Sequence, residues 1–133
     1  MGKKLSEKVI KMLDGKNFAH VATLMPDGSP QVSAVWIDRE VDLIVFNTAV
    51  GRAKYRNLVK DKRIALSIAD ATNPYSEIWI RGKVVEITEE GADAHIDKLA
   101  QKYLGKEKYP MRQPGERRVI IRVEAEHINE GWR

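Results

Sequence analysis

The chain is 133 residues long and contains no cysteine, which excludes disulfides, cysteine-ligated zinc, iron–sulfur clusters and thiol nucleophiles together. Its 43% hydrophobic and 32% charged residues are a globular composition, and the length leaves room for one domain, 1–133, and no second. Lys+Arg of 23 against Asp+Glu of 19 gives a net charge of +4, a mild excess that favours an anionic ligand, but the basic residues interleave with acidic ones instead of forming the one-sided stripe of a nucleic-acid binder.

The elements follow in chain order. Leu5, Val9, Met12 and Leu13 recur at helical spacing behind Ser6 as an N-cap, and Gly15 stops the helix. Phe18 to Met25 is β-favouring, Pro26-Asp27-Gly28-Ser29 supplies turn chemistry, and Gln31 to Asp38 alternates, so a hairpin is predicted. In its second strand Val32, Ala34 and Trp36 share one face and Gln31, Ser33, Val35 and Ile37 the other. The second face mixes polar and apolar groups, as the wall of a ligand cleft does. After a turn at Arg39–Asp42, Leu43 to Thr48 is apolar on both faces and reads as a central strand.

Gly51 breaks that strand, and Ala53, Leu58 and Val59 mark a short helix ending near Lys60. Ile64, Leu66 and Ile68 share a face of a strand over 63–71, and Asn73-Pro74 marks a turn. The next strand, Glu77 to Ile87, carries Gly82 in its middle, the signature of a bulge or a close backbone approach. Ala92, Ile96, Leu99, Ala100, Tyr103 and Leu104 trace an amphipathic helix closed by Gly105. A Pro- and Gly-containing surface loop over 106–116 is placed to cover something. A last strand, Arg117 to Glu126, turns Val119, Ile121, Val123 and Ala125 inward and leaves a seven-residue tail.

Six short strands, mostly joined by hairpins, with three helices, predict a mainly β fold: an antiparallel barrel with peripheral helices. There is no βαβ alternation, no G-x-G-x-x-G and no P-loop. No run approaches the roughly 18 apolar residues of a membrane span, and the lysine-rich start lacks the apolar stretch of a signal peptide, so a cytoplasmic location without a membrane partner is expected.

The segment Asn47-Thr48-Ala49-Val50-Gly51-Arg52-Ala53-Lys54 is the most informative. A strand delivers it to a glycine turn, and the helix start beyond offers free backbone N–H groups beside two cations. Arginine grips phosphate oxygens in pairs and lysine adds a point charge, so an anion site is predicted, with a solvated basic turn as the alternative. His20, His95 and His127 lack the spacing of a helical metal pair, so no metal site is expected. His20 alternates with apolar neighbours and reads as a hydrogen-bonded barrel residue. Trp36, Trp79 and Trp132 are suited to stacking on a planar ring or to plain packing. No Ser/His/Asp set or carboxylate pair stands out and no catalytic residue is singled out, which fits chemistry carried by a borrowed cofactor.

The order of these motifs resembles the pyridoxamine 5′-phosphate oxidase-like superfamily of FMN-binding split β-barrels. The residues concerned are Pro26-Asp27-Gly28, Pro30 to Trp36, Asn47-Thr48, Gly51-Arg52-Ala53-Lys54 with Asn57-Leu58, Asn73-Pro74-Tyr75, Ile80 to Val84 and His95 to Gly105. Within it the chain is similar to the small F420-dependent members, which use a 5-deazaflavin. The resemblance implies a homodimer with two cofactor sites at its interface and a small unsaturated or heteroaromatic substrate. It implies F420 as cofactor, with FMN, or a non-catalytic flavin carrier, as the alternatives. Arg52 and Lys54 match the positions that hold the cofactor phosphate. Gln31, Val32, Ser33, Asn47 and Thr48 match positions beside the ring, Gly51 and Asn57 complete the motif, and Trp79 and Arg81 lie on a strand that reaches the neighbouring subunit's site. Lys3, Lys4 and Arg56 are expected to favour the acidic tail of F420.

Overall fold

The computed structural model describes residues 2–131. Six antiparallel strands close into a barrel: β1 (Phe18–Leu24), β2 (Pro30–Glu40), β3 (Leu43–Ala49), β4 (Arg63–Asp70), β5 (Asn73–Thr88) and β6 (Arg118–Asn129). Their order around the barrel is β1-β2-β3-β6-β5-β4, with β4 returning to β1. The first three strands form the predicted meander. The fourth neighbour is then β6, the last strand, paired with β3 from Leu43↔Glu124 to Ala49↔Arg118.

Alternation fills the interior. Val21, Ile37, Phe46, Leu66, Ile80 and Ile121 represent the six strands in one buried cluster. The inward sets foreseen on β4 and β6 all belong to it: Ile64, Leu66 and Ile68, and Val119, Ile121, Val123 and Ala125.

Helices cover what the barrel cannot cover itself. α1 (Glu7–Asp14) has its N-cap at Ser6, whose side chain accepts from Val9 N–H, and Gly15 closes it with a bond to Lys11 O. Its Val9, Met12 and Leu13 join the barrel cluster. α2 (Ala53–Lys60) joins β3 to β4, strands on opposite sides of the ring, so the chain must cross a barrel end; Leu58 is its plug. α3 (Ala92–Leu104) packs outside on β2, β3 and β6. There Ala92 covers Val45 and Ile120, which is why β3 is apolar on both faces. The Tyr103 hydroxyl accepts from Ile37 N–H at 3.0 Å and donates to Asn17 O, tying α3 to the barrel. No helix among the described residues is long and apolar enough to cross a membrane.

Two boundaries and the place of one residue differ from the sequence expectation. β5 begins at Asn73, so the Asn73-Pro74 turn is replaced by one at 71–72, where Asp70 Oδ1 accepts from Thr72 N–H at 2.8 Å. Proline is tolerated there because a strand's first residues need not donate. β6 continues to Asn129 because the long β5 supplies partners for its polar end, Arg81↔His127 and Trp79↔Asn129. His20 is exposed on the outer face of β1, since Ala19 and Val21 take the inward positions.

Gly82 sits at a register shift between β5 and β6. A Cβ there would collide with the carbonyl oxygen of Glu124 on the neighbouring backbone. Gly82→Ala is therefore expected to lower stability by about 1–3 kcal/mol, as overpacking does, measured by urea unfolding; an unchanged midpoint would show that the β5–β6 bulge yields freely.

Candidate functional site

A cleft of about 270 Å³ opens where β2, β3, α2, α3 and the start of β6 meet. Its floor is the outer face of the sheet: Phe18 of β1, Ala34 and Trp36 of β2 and Asn47 of β3. Ile96 and Leu99 of α3 make an apolar wall, and Tyr109 and Met111 reach in from the loop after α3. Arg52, Lys54 and Arg118 supply three cations on the remaining side.

Each of these is placed by local chemistry. Gly51 takes φ 98° in the turn leaving β3, a conformation open to glycine, and so redirects the chain into α2. Arg52 is the N-cap and makes no side-chain capping bond, so the first-turn N–H groups of α2 have no side-chain acceptor. Lys54 is only 8% exposed and makes no hydrogen bond or ion pair among the described residues. Burial, with the charges of Arg52 and Arg118 beside it, lowers its pKa from the usual lysine value. Arg118 is 4% exposed, and burial lowers its pKa as well. Arg118 has Glu116 Oε2 at 3.4 Å, whereas Lys54 has no such partner among the described residues, and a buried unpaired cation costs stability unless an anion meets it.

The aromatic side of the cleft is already packed. Trp36 stacks on Tyr103 with centroids 5.3 Å apart and meets Tyr109 edge-on at 5.9 Å. The Arg118 guanidinium lies 5.2 Å above the Tyr109 ring. Asp97 of α3 holds the loop across the mouth: its Oδ1 accepts Tyr109 N–H at 2.8 Å and Arg112 Nη2 at 3.1 Å.

Of the residues named from sequence, Asn47, Arg52 and Lys54 converge on this cleft, with Trp36 in its floor and Gly51 in the turn beside it. The others lie elsewhere. The mixed Gln31/Ser33 face of β2 turns inward, and the cleft takes the opposite face; the parity set by Val35 and Ile37 in the core decides it. Gln31 Oε1 accepts from Thr23 Oγ1 at 3.3 Å. The hydroxyls of Ser33 and Thr48 are buried without a partner. Asn57 Nδ2 donates to Thr23 Oγ1 at 2.9 Å, pinning α2 to β1. Val32, Trp79 and Arg81 stand on the exposed outer face, with Arg81 6.0 Å above the Trp79 ring. Lys3 and Lys4 are at the far end of β3: Lys3 N–H bonds Ala125 O, and Leu5 N–H bonds Asp42 at the strand's other terminus. Seven strand residues, roughly 20 Å, separate them from Arg52, so of the three basic residues singled out only Arg56 is near the cations. Trp132 lies outside the described residues.

Two residues were missed from sequence, Arg118 and His95. Arg118 alternates with the inward Val119 and so falls on the outward side of its strand, a side that α3 and the loop with Tyr109 cover. His95 is buried on α3, with Nε2 3.0 Å from Asp38 Oδ2 and Nδ1 3.2 Å from Asn47 Nδ2. Burial opposes ionisation of Asp38, but the bond to His95, the Arg39 N–H and the charge of Lys98 outweigh it and hold the carboxyl well below the usual range.

A family model for pyridoxamine 5′-phosphate oxidase matches residues 5–130. A solved structure named F420 reductase is 30% identical, with a TM-score of 0.82 over 95% of this chain and 99% of that one. A conserved hypothetical protein of Mycobacterium tuberculosis is 22% identical, with a TM-score of 0.71 over 93% and 82%. General stress protein 26 of Bacillus anthracis is 15% identical, with a TM-score of 0.65 over 92% and 89%. The last two likenesses concern the fold. No curated protein matches the sequence.

The depressed pKa of Asp38 carries a sign. Its contribution to stability is present above the unfolded carboxylate value of 3.8 and is lost as pH falls below that value. Asp38→Asn is expected to cost about 1.5–3 kcal/mol at neutral pH and much less near about pH 2. Chemical unfolding at both pH values checks it, and a pH-independent loss would rule the ionised Asp38 carboxylate out as the source of the stability.

Proposed function

The chain belongs to the pyridoxamine 5′-phosphate oxidase family, and on that footing we propose that it is an oxidoreductase whose cleft holds a phosphate-bearing deazaflavin, F420, against a small unsaturated or heteroaromatic substrate. The observation that carries this reading is Lys54: a cation nine-tenths buried, without an anion, at an uncapped helix start and beside Arg52. Those donors fit a phosphate, and the apolar wall of Ile96 and Leu99 with Ala34 opposite fits the edge of a planar ring. The 30% identity to a structure named F420 reductase favours the deazaflavin over FMN. The bound cofactor supplies two-electron hydride chemistry.

The chain's own residues do the rest. Lys54, Arg52 and the first-turn N–H groups of α2 anchor the anion, which fixes how far into the cleft the ligand sits. Tyr109 and Met111 shield the mouth from water.

A volume of about 270 Å³ is below the roughly 300–1,000 Å³ of a ligand pocket, so one chain offers part of a site. Next to the cleft the outer faces of β1, β2, β4 and β5 carry Phe18, Ala34, Val32, Ala65 and Trp79, with Phe18 53% and Val32 59% exposed. The exposed apolar side chains on this surface suit a second copy of the chain, and the homodimer completes the cleft in this proposal.

Two outcomes are expected. Lys54→Met weakens F420 and FMN binding by roughly ten- to a hundredfold while raising the melting temperature of the ligand-free protein, because an uncompensated buried charge is gone. Calorimetric titration and a thermal melt read both; unchanged affinity places the anion elsewhere. Light scattering should show a dimer at micromolar concentration, and Val32→Arg should give a monomer that no longer binds F420, whereas a wild-type monomer with full affinity would sink the shared site.

A further inference from the structure

We propose that Asp38, His95 and Asn47 form a chain of positioning residues that aims Arg118 into the cleft as a third oxyanion-binding group. The proposal rests on the phosphate reading above, and its starting point is a backbone carbonyl. Asn47 Nδ2 lies 2.9 Å from Ala92 O, which can only accept. That contact orients the Asn47 amide, so Oδ1 is the atom facing Arg118 and it accepts the Arg118 Nε–H at 2.8 Å.

The second Nδ2 hydrogen of Asn47 points at His95 Nδ1, 3.2 Å away. Nδ1 must therefore accept, and the ring N–H sits on Nε2 and donates to Asp38 Oδ2 at 3.0 Å. Every donor in the chain meets an acceptor in one arrangement only. Flipping the asparagine would set its Oδ1 against Ala92 O, two acceptors facing one another, and its Nδ2 against the Arg118 Nε–H, two donors facing one another. Asp38 is fixed in turn by the Arg39 N–H at 2.8 Å and by Lys98 at 3.4 Å.

The far end of the chain is the functional one. Arg118 Nη1 lies 3.4 Å from Glu116 Oε2, and Nη2 makes no hydrogen bond among the described residues. With Nε committed to Asn47, the guanidinium is held at the rim of the cleft that Arg52 and Lys54 share, near enough that its charge lowers the proton affinity of Lys54. A fork held in this way loses little side-chain freedom when an oxyanion arrives. His95 and Asp38 touch no ligand; they act through Asn47 and Arg118.

The experiment compares wild type, Arg118→Met, His95→Phe, the double variant, His95→Gln and Lys54→Met. F420 and FMN binding are followed by calorimetry. Binding of inorganic phosphate is followed by the 15N-NMR signal of the Arg118 Nε–H, which needs neither cofactor. Arg118→Met should weaken cofactor binding roughly ten- to a hundredfold and His95→Phe roughly three- to tenfold. The double variant should bind no more weakly than Arg118→Met alone, since both remove one effect. His95→Gln, whose amide keeps one acceptor and one donor, should recover most of the loss.

Losses that multiply in the double variant would make His95 merely structural and overturn the proposal. Cofactor binding that depends on Lys54 but survives Arg118→Met would overturn it and leave the proposed function standing. Phosphate shifting the Arg118 signal, with neither cofactor binding, would support Arg118 and overturn the cofactor reading. No response from either probe overturns both.

Discussion

A closed six-stranded barrel has no free sheet edge, but it has two ends and an outer wall that its own strands cannot cover. Closure here depends on the pairing of β3 with β6, 69 positions apart from the end of one to the start of the other by chain numbering (Ala49 and Arg118). Once that ladder forms, β3 and β4 stand on opposite sides of the ring, and the chain between them must cross an end. That crossing is α2. Leu58 fills the barrel end, and the helix start beside it is delivered to the outer wall with Arg52 and Lys54. The cation cluster is thus a by-product of how the barrel is closed.

The same ladder brings Arg118 opposite Ala49 and Ile120 opposite Asn47. α3, packed outside, then encloses the space between β3 and β6, so that Asn47 and Arg118 meet under it with His95. Polar groups in such a place need full hydrogen bonding. The network running from Asp38 to Arg118 meets that need, whereas Lys54 remains without a partner among the described residues. The contrast separates a group held in place from a cation left free for the proposed phosphate.

The uncovered part of the wall carries small side chains among larger apolar ones and the polar His20 and Arg81. The helices occupy both other regions, α1 and α2 against the barrel cluster and α3 outside β2, β3 and β6. What remains is the surface of β1, β4 and β5 with the near half of β2, carrying Ala22, Ala34, Ala65 and Ser67 in cross-strand register. Small residues keep such a face flat, and a flat face with Phe18, Val32 and Trp79 at 37–59% exposure is suited to a second sheet.

The sequence by itself determined the local elements and their parity. Ser6 and Gly15 bound the first helix, alternation assigned the inward residues of β4 and β6, Gly82 announced a close approach, and Gly51-Arg52-Ala53-Lys54 announced cations at a helix start. These are short-range properties, set by side-chain period and backbone freedom within a few residues. Only the tertiary structure decided which face of β2 meets the cleft, because parity groups Gln31 with Ser33 but cannot say whether the barrel or a helix lies on that side. It also decided that β6 lies beside β3, that Lys3 and Lys4 are remote from Arg52, and that Asp38, Asn47, His95 and Arg118 share one network. Those four residues come from β2, β3, α3 and β6, and no local pattern links them; their meeting is set by closing a barrel and burying one helix on its wall, where hydrogen bonding then leaves them a single arrangement.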